Sequence, residues 1–172
     1  SYTNIAGTKL EETAALRQPQ FSLCRKAYTG YVLLSFKAKD GWIANLKFLA
    51  EGLPQTLMCF AGASARSLKI VVPFTLPDGT LPQTEQDICF FHQHAYFTSA
   101  KFYEAELGIK CERAVPTPQT VCRISTDEHV FLNATPMPMI IQQPHEGVEK
   151  RVKREIRYQM SRTSYNAGRE TG

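Results

Sequence analysis

No stretch of the 172 residues approaches the roughly 18 consecutive apolar side chains needed to cross a bilayer, and the polar start, Ser1 to Leu16, lacks the hydrophobic run of a secretory signal. The expectation is a soluble, cytoplasmic protein with no membrane partner. Cysteine is scarce and unpaired: Cys24, Cys59, Cys89, Cys111 and Cys122 are odd in number, and none forms a C-x-x-C pair. Three of them sit among β-branched or large apolar neighbours, which fits buried free thiols in a reducing compartment better than a disulfide framework or a zinc knuckle. Internal repeats, nucleophile elbows, H-E-x-x-H and Walker-type phosphate loops are absent as well. No motif by itself declares an enzyme.

What is present is apolar material for one sizeable core, 43% of residues, interrupted by ten Gly and ten Pro. The formal charge of +4 is unevenly placed. Residues 149–162 hold six cations (Lys150, Arg151, Lys153, Arg154, Arg157 and Arg162) and two Glu; taking these from the twenty basic and sixteen acidic residues leaves fourteen of each. The rest of the chain is therefore neutral; 1–145 reads as a single domain, and the basic excess belongs to a C-terminal helix and tail, 146–172.

Along the chain, Thr8 and Glu11 form a capping box for a short helix over 9–17, stopped before Pro19. The β-branched and aromatic run 31–37 predicts a central strand. Asp40 is placed to cap a helix carrying Trp42, Ile43, Leu46 and Leu49 or Ala50 on one face, ended by Gly52 and Pro54. Strands over 57–61 and 68–74 flank a small-residue loop, 62–67, and Pro77-Asp78-Gly79 marks a turn. The longest helix runs from the Thr84/Asp87 capping box to Leu107, with Gly108 as its stop. Its apolar positions, Ile88, Phe91, Ala95, Thr98, Phe102 and Ala105, recur at steps of three and four, so one face lies on a sheet. Short extended pieces follow over 109–115, 120–125, 129–132 and 137–141. Helices alternating with strands early and short strands clustered late predict an α+β domain with a mixed, mainly antiparallel sheet. In 146–160, Val148, Val152 and Ile156 line one helix face and the cations lie mostly elsewhere: either a docked helix with a solvated back, or one that forms on an anionic partner. Residues 163–172 are expected to fray.

For chemistry, His92 and His94 lie on opposite sides of a helix and cannot chelate one ion together; Cys89 and His92 share a face but lack a second pair of ligands. Two regions look unlike plain core. On strand 31–37, Tyr31, Leu33, Ser35 and Lys37 share a face that turns polar toward the strand's end. The loop 62–67 leads into a strand bearing Lys69; small residues allow a phosphate to approach the backbone, and Arg66 and Lys69 supply charge. An ordinary hairpin loop followed by a surface lysine accounts for the same residues.

Three stretches in this order, 29–37 (TGYVLLSFK), 60–72 (FAGASARSLKIVV) and 122–133 (CRISTDEHVFLN), resemble the VirE amino-terminal domain family, which is frequent in Bacteroides-type mobile elements and grouped with the archaeo-eukaryotic primase-polymerase superfamily. The resemblance spans roughly residues 9–140 and rests on order and spacing. It implies a catalytic module similar to an RNA-recognition-motif sheet, in which acidic residues hold divalent metals for nucleotidyl transfer and a basic residue meets the nucleotide's phosphates. Carried over by position, the metal-holding Asp-x-Asp falls on Ser35 and Lys37. The loop's glycines fall on Ala65 and Ser67, while its serine and its basic residue are kept as Ser64 and Lys69. Arg123, Asp127 and Asn133 match the third stretch.

The departures decide the chemistry. Two-metal phosphoryl transfer needs carboxylates. An ammonium at Lys37 repels a cation instead, by roughly 4 kcal/mol for one unit-charge pair at about 4 Å and an effective dielectric near 20. The expectation is therefore a catalytically degenerate domain, with no catalytic residue, no metal and no cofactor, that binds nucleic acid (DNA or RNA) or nucleotide phosphates through Ser64, Arg66, Lys69, Arg123 and Lys37. Its setting is a mobile-element protein, partnered by a helicase-like domain or another protein of the element. Two alternatives stand beside it: a divergent nucleotidyltransferase using Asp40, Glu112 or Asp127 as replacement ligands, and a protein-interaction module whose cleft is filled.

Overall fold

In a computed structural model, which describes residues 28–118, 127–144 and 146–170, the β-branched and aromatic run becomes strand β1 (Tyr31–Lys37). Its alternation is strict: Val32, Leu34 and Phe36 are buried, whereas Tyr31 and Lys37 are exposed and Leu33 and Ser35 half-buried. Helix α1 (Ile43–Glu51) follows, then β2 (Met58–Ala61) and β3 (Ser67–Thr75). β3 pairs antiparallel with both strands, from Tyr31↔Pro73 to Lys37↔Ser67 on one side and from Met58↔Val71 to Ala61↔Leu68 on the other. A strand–helix–strand unit with the next strand inserted between its two strands is a split β-α-β arrangement. β4 (Phe131–Leu132) adds antiparallel to β2, and β5 (Met139–Ile140) pairs in parallel with the far end of β3, giving five strands in the order β1-β3-β2-β4 with β5 off that path.

Pro73 sits in a central strand, where a missing N–H is normally costly. Its nitrogen faces the side on which β2 has already ended at Met58↔Val71 and β5 has not begun, at Phe74↔Met139, so no ladder bond is lost.

The core lies between one face of this sheet and the helices. Leu68, Ile70, Val72 and Phe74 of β3 join the buried side of β1 against α2 (Glu85–Leu107). Thr84 caps α2 by accepting the Asp87 amide at 3.2 Å, and Gly108 ends it at φ 69°. The buried stripe of α2 includes His92, Tyr96, Ser99 and Tyr103 beside Ile88, Phe91 and Ala95, while Thr98 and Phe102 are half-buried and Ala105 is exposed. The expected stripe was therefore wrong in its second half. The two tyrosines enter the core there because their hydroxyls find partners: Tyr103 meets Thr56 Oγ1 at 2.7 Å, which donates to the Ala50 carbonyl, and Tyr96 accepts the Ala114 amide at 3.0 Å.

Three further expectations need correcting. Asp40 does not cap α1: Trp42 occupies the cap position and no side chain caps the helix. Only Leu46 and Ala50 of α1 are buried, and Trp42 and Leu49 are exposed, because the short helix turns a single narrow edge to the core. Finally α3 (Glu146–Glu170) continues well past the point where fraying was expected. Its Ile156 is buried and Val152 and Met160 pack beside it, but Val148 is exposed, so the seam docks from its second turn onward. The expected helix 9–17 and the extended piece 120–125 lie outside the described residues. No described helix is long and apolar enough to cross a membrane.

Candidate functional site

The register of β1 on β3 places Ser35 opposite Lys69 and Lys37 opposite Ser67, all on the face away from the core. Lys69 Nζ donates to Ser35 Oγ at 2.8 Å, and Ser35 Oγ donates to Glu112 Oε2 at 2.6 Å. Glu112 arrives because the chain leaving α2 runs back along the free edge of β1, where its amide donates to the Ser35 carbonyl at 2.7 Å and Cys111 bridges antiparallel to Phe36. The result is an ammonium, a hydroxyl and a carboxylate in one chain of charge-assisted bonds. Glu112 offsets part of the Lys69 charge without touching it. Phe60 lies opposite Lys69 and is buried, so it presents no open ring beside the lysine.

At the same end of the sheet, the Ala38 amide donates to the Arg66 carbonyl at 2.9 Å, which sets Arg66 beside the end of β1. Lys37 is exposed, and neither it nor Arg66 forms an ion pair among the described residues. The connection 62–66 is a closed hairpin loop: Gly62 N donates to the Ser67 carbonyl at 2.7 Å and Ala65 N to the Gly62 carbonyl at 2.8 Å. Two of its amides are thus already engaged and do not form a phosphate cradle. Ala65 stands at φ 54°, a left-handed conformation that favours glycine, at a position where the resemblance places one. Ser64 and Arg66 are exposed on this loop.

The remaining candidates are elsewhere. Asp127 sits on the outer edge of β2, where its carboxylate accepts the Ala61 amide at 2.8 Å, the His129 amide at 2.9 Å and Lys47 Nζ at 3.0 Å. These bonds, the Ala61 amide foremost, hold its carboxyl down at about 2. Lys47, whose ammonium also reaches the His129 carbonyl, had no distinguishing mark in the sequence: it is one lysine on an amphipathic helix, and its partner lies 80 residues away. Asn133 is at the other end of β2, donating its amide to the Leu57 carbonyl and accepting the Thr135 amide on Oδ1, the pattern of a turn. Arg123 lies outside the described residues. Asp40 is exposed beyond β1.

Among the described residues, no group of three or more His, Cys, Asp or Glu is arranged to hold a metal. Cys89 is exposed and His92 buried, so they do not act as a pair. Burial pushes His92 down to about 4, and its Nδ1 lies 3.0 Å from the Tyr28 hydroxyl. The buried Cys59 and Cys111 are free thiols that burial drives up to about 12 and about 11, far from the thiolate a nucleophile needs.

No curated protein and no solved structure matches the chain. A family model does match, over residues 14–132, well over half its length; the chain belongs to the family described as BT4734-like, N-terminal domain.

Proposed function

We propose that this domain binds the phosphates of nucleic acid or nucleotides at the cationic end of the β1–β3 ladder, as a catalytically degenerate relative of primase-polymerase modules. The observation that carries the reading is the hydrogen bond from Lys69 to Ser35. It joins the basic position of the second stretch to a serine standing where the VirE-type resemblance calls for a metal-holding carboxylate. Lys37 lies two residues further along the same face and Arg66 at the adjoining loop, so three cations line one sheet end. Ser64 and Arg123 are assigned to the same surface by the resemblance. The split β-α-β order of strands is also that of RNA-recognition-motif sheets, which supports the reading at the level of the fold.

Affinity at such a site comes from counterion release and falls with salt, with a slope of about −0.7 per phosphate neutralised on a single strand. Within a mobile-element protein, α3 adds to it: Lys150, Arg151, Arg154 and Arg157 are all exposed on its outer side, and a helicase-like domain is a suitable neighbour for a weak strand-holding module. Fluorescence anisotropy with a labelled single-stranded oligonucleotide at low salt tests the proposal. Saturable binding weakened severalfold by Lys69→Ala is expected; no binding up to about 100 μM, or binding indifferent to that substitution, overturns it.

A second reading has its own observation. Trp42 and Phe48, at the start and on the outer side of α1, are 59% and 76% exposed, which favours a protein-interaction surface. Loss of a protein partner from the Trp42→Ala, Phe48→Ala double variant, with oligonucleotide binding intact, would separate this role from the first. The nucleotidyltransferase alternative finds less support: of Asp40, Glu112 and Asp127, Glu112 alone joins the Lys69 chain, and Asp127 is already occupied by Lys47 and two amides.

A further inference from the structure

The stretch that delivers Glu112 to the sheet face turns its neighbours the other way. Cys111 and Arg113 line a cleft of about 500 Å³ between the last two turns of α2 and the middle of α3, a size in the range of small-ligand sites. The left-handed turn at Gly108 reverses the chain so that Lys110 and Arg113 stand against the end of the helix they have just left. Lys101 comes from α2 and Arg162 from α3. Among the described residues four cations therefore surround this cleft, with Glu104 as the one carboxylate.

Glu104 organises these cations and leaves most of their charge in place. Its Oε1 accepts from Arg113 Nη2 and from the Cys111 amide, each at 3.0 Å, and its Oε2 lies 3.9 Å from Lys110 Nζ. Arg113 is further steadied over the Phe97 ring, 5.7 Å from its centroid, while its Nη1 is buried with no hydrogen-bond partner among the described residues. The Lys110 side chain is 92% exposed, and Lys101 and Arg162 are exposed too, so these groups can turn toward an incoming anion. No aromatic ring is among the described residues lining the cleft.

We infer that this cleft is a binding site for a chain of linked phosphates, separate from the sheet face and on the other side of the 111–113 stretch. A guanidinium fork held by one carboxylate and flanked by exposed ammonium groups suits oxygens that carry several charges at short spacing. Inorganic polyphosphate and the tail of a nucleoside triphosphate share that chemistry.

The test is calorimetric titration of the full chain with inorganic tripolyphosphate, and with ATP in parallel. Lys110→Glu and Arg162→Glu alter exposed side chains, and their melting curves verify that they remain folded. Both are expected to weaken tripolyphosphate at least fivefold, with Lys153→Ala, an exposed α3 lysine outside the cleft, within twofold of the wild type. Any other pattern, including absence of binding to the wild type at millimolar ligand, overturns the proposal. ATP binding equal to that of tripolyphosphate identifies the phosphate chain as the whole ligand, and tighter ATP binding identifies a nucleotide; both support the cleft. Because the sheet site is read through Lys69 and an oligonucleotide, failure there leaves this result interpretable.

Discussion

Ser35 takes a hydrogen bond from Lys69 and gives one to Glu112, and this single hydroxyl holds together residues 34 and 77 positions away. The positions of Ser35 and Lys69 on one sheet face were legible, since each stands on an alternating strand at the polar end of a face. Glu112 was legible only as a spare carboxylate, because nothing local shows that the chain after α2 returns along β1. Asp127 teaches the opposite lesson. Its place in the third stretch pointed to the candidate site, yet its oxygens serve the edge of β2 and Lys47. This pairing has a pH signature. A carboxyl held at about 2 when folded, against an ordinary 3.8, contributes stability that is complete above about pH 4 and is lost as pH falls toward 2. The melting temperature should drop across that window, and the drop should be smaller in Asp127→Asn. At neutral pH the loss on Asp127→Ala is expected to be about 1.5–3 kcal/mol, since a charged acceptor is removed from two amides and a largely covered ammonium.

At the scale of elements, what the sequence displayed best were segments with strong local signals. β1 and β3 follow strict alternation, and α2 carries Thr84 at its start and Gly108 at its end. α1 was misread where the cue was weakest: an aspartate shortly before an apolar run resembles a cap, but the chain turns at 40–41 and Trp42 takes that place. The buried stripe of α2 was misread for a different reason. Hydrophobicity alone sets Tyr96 and Tyr103 outside, whereas tertiary hydrogen bonding, as between Tyr103 and Thr56, admits their hydroxyls to the core. The β2–β3 loop holds the clearest element-level prediction. Ala65 is the one non-glycine residue at positive φ among the described residues. The left-handed conformation costs an L-residue about 1–2 kcal/mol and glycine's extra chain entropy about 0.5–1. Ala65→Gly should therefore stabilise the domain by about 0.5–1 kcal/mol in chemical denaturation, leaving the hairpin geometry intact.

For the whole molecule, the mainly antiparallel α+β architecture followed from the order of patterned segments, and the basic C-terminal segment does form a helix. The sequence could not show that α3 lies along α2, since that contact depends on Val152, Ile156 and Met160 meeting a helix some 60 residues earlier. Nor could it show that the 111–113 stretch divides two separate cationic surfaces. The account's central claim is that phosphates bind at the sheet end shared by Lys37, Arg66 and Lys69 without help from a metal. The direct measurement is a ¹H–¹⁵N correlation spectrum of the labelled chain, recorded with EDTA during titration with a single-stranded oligonucleotide. The account predicts saturable shifts centred on residues 35–38 and 64–69; an unchanged spectrum at those amides, or shifts that require a divalent cation, would contradict it.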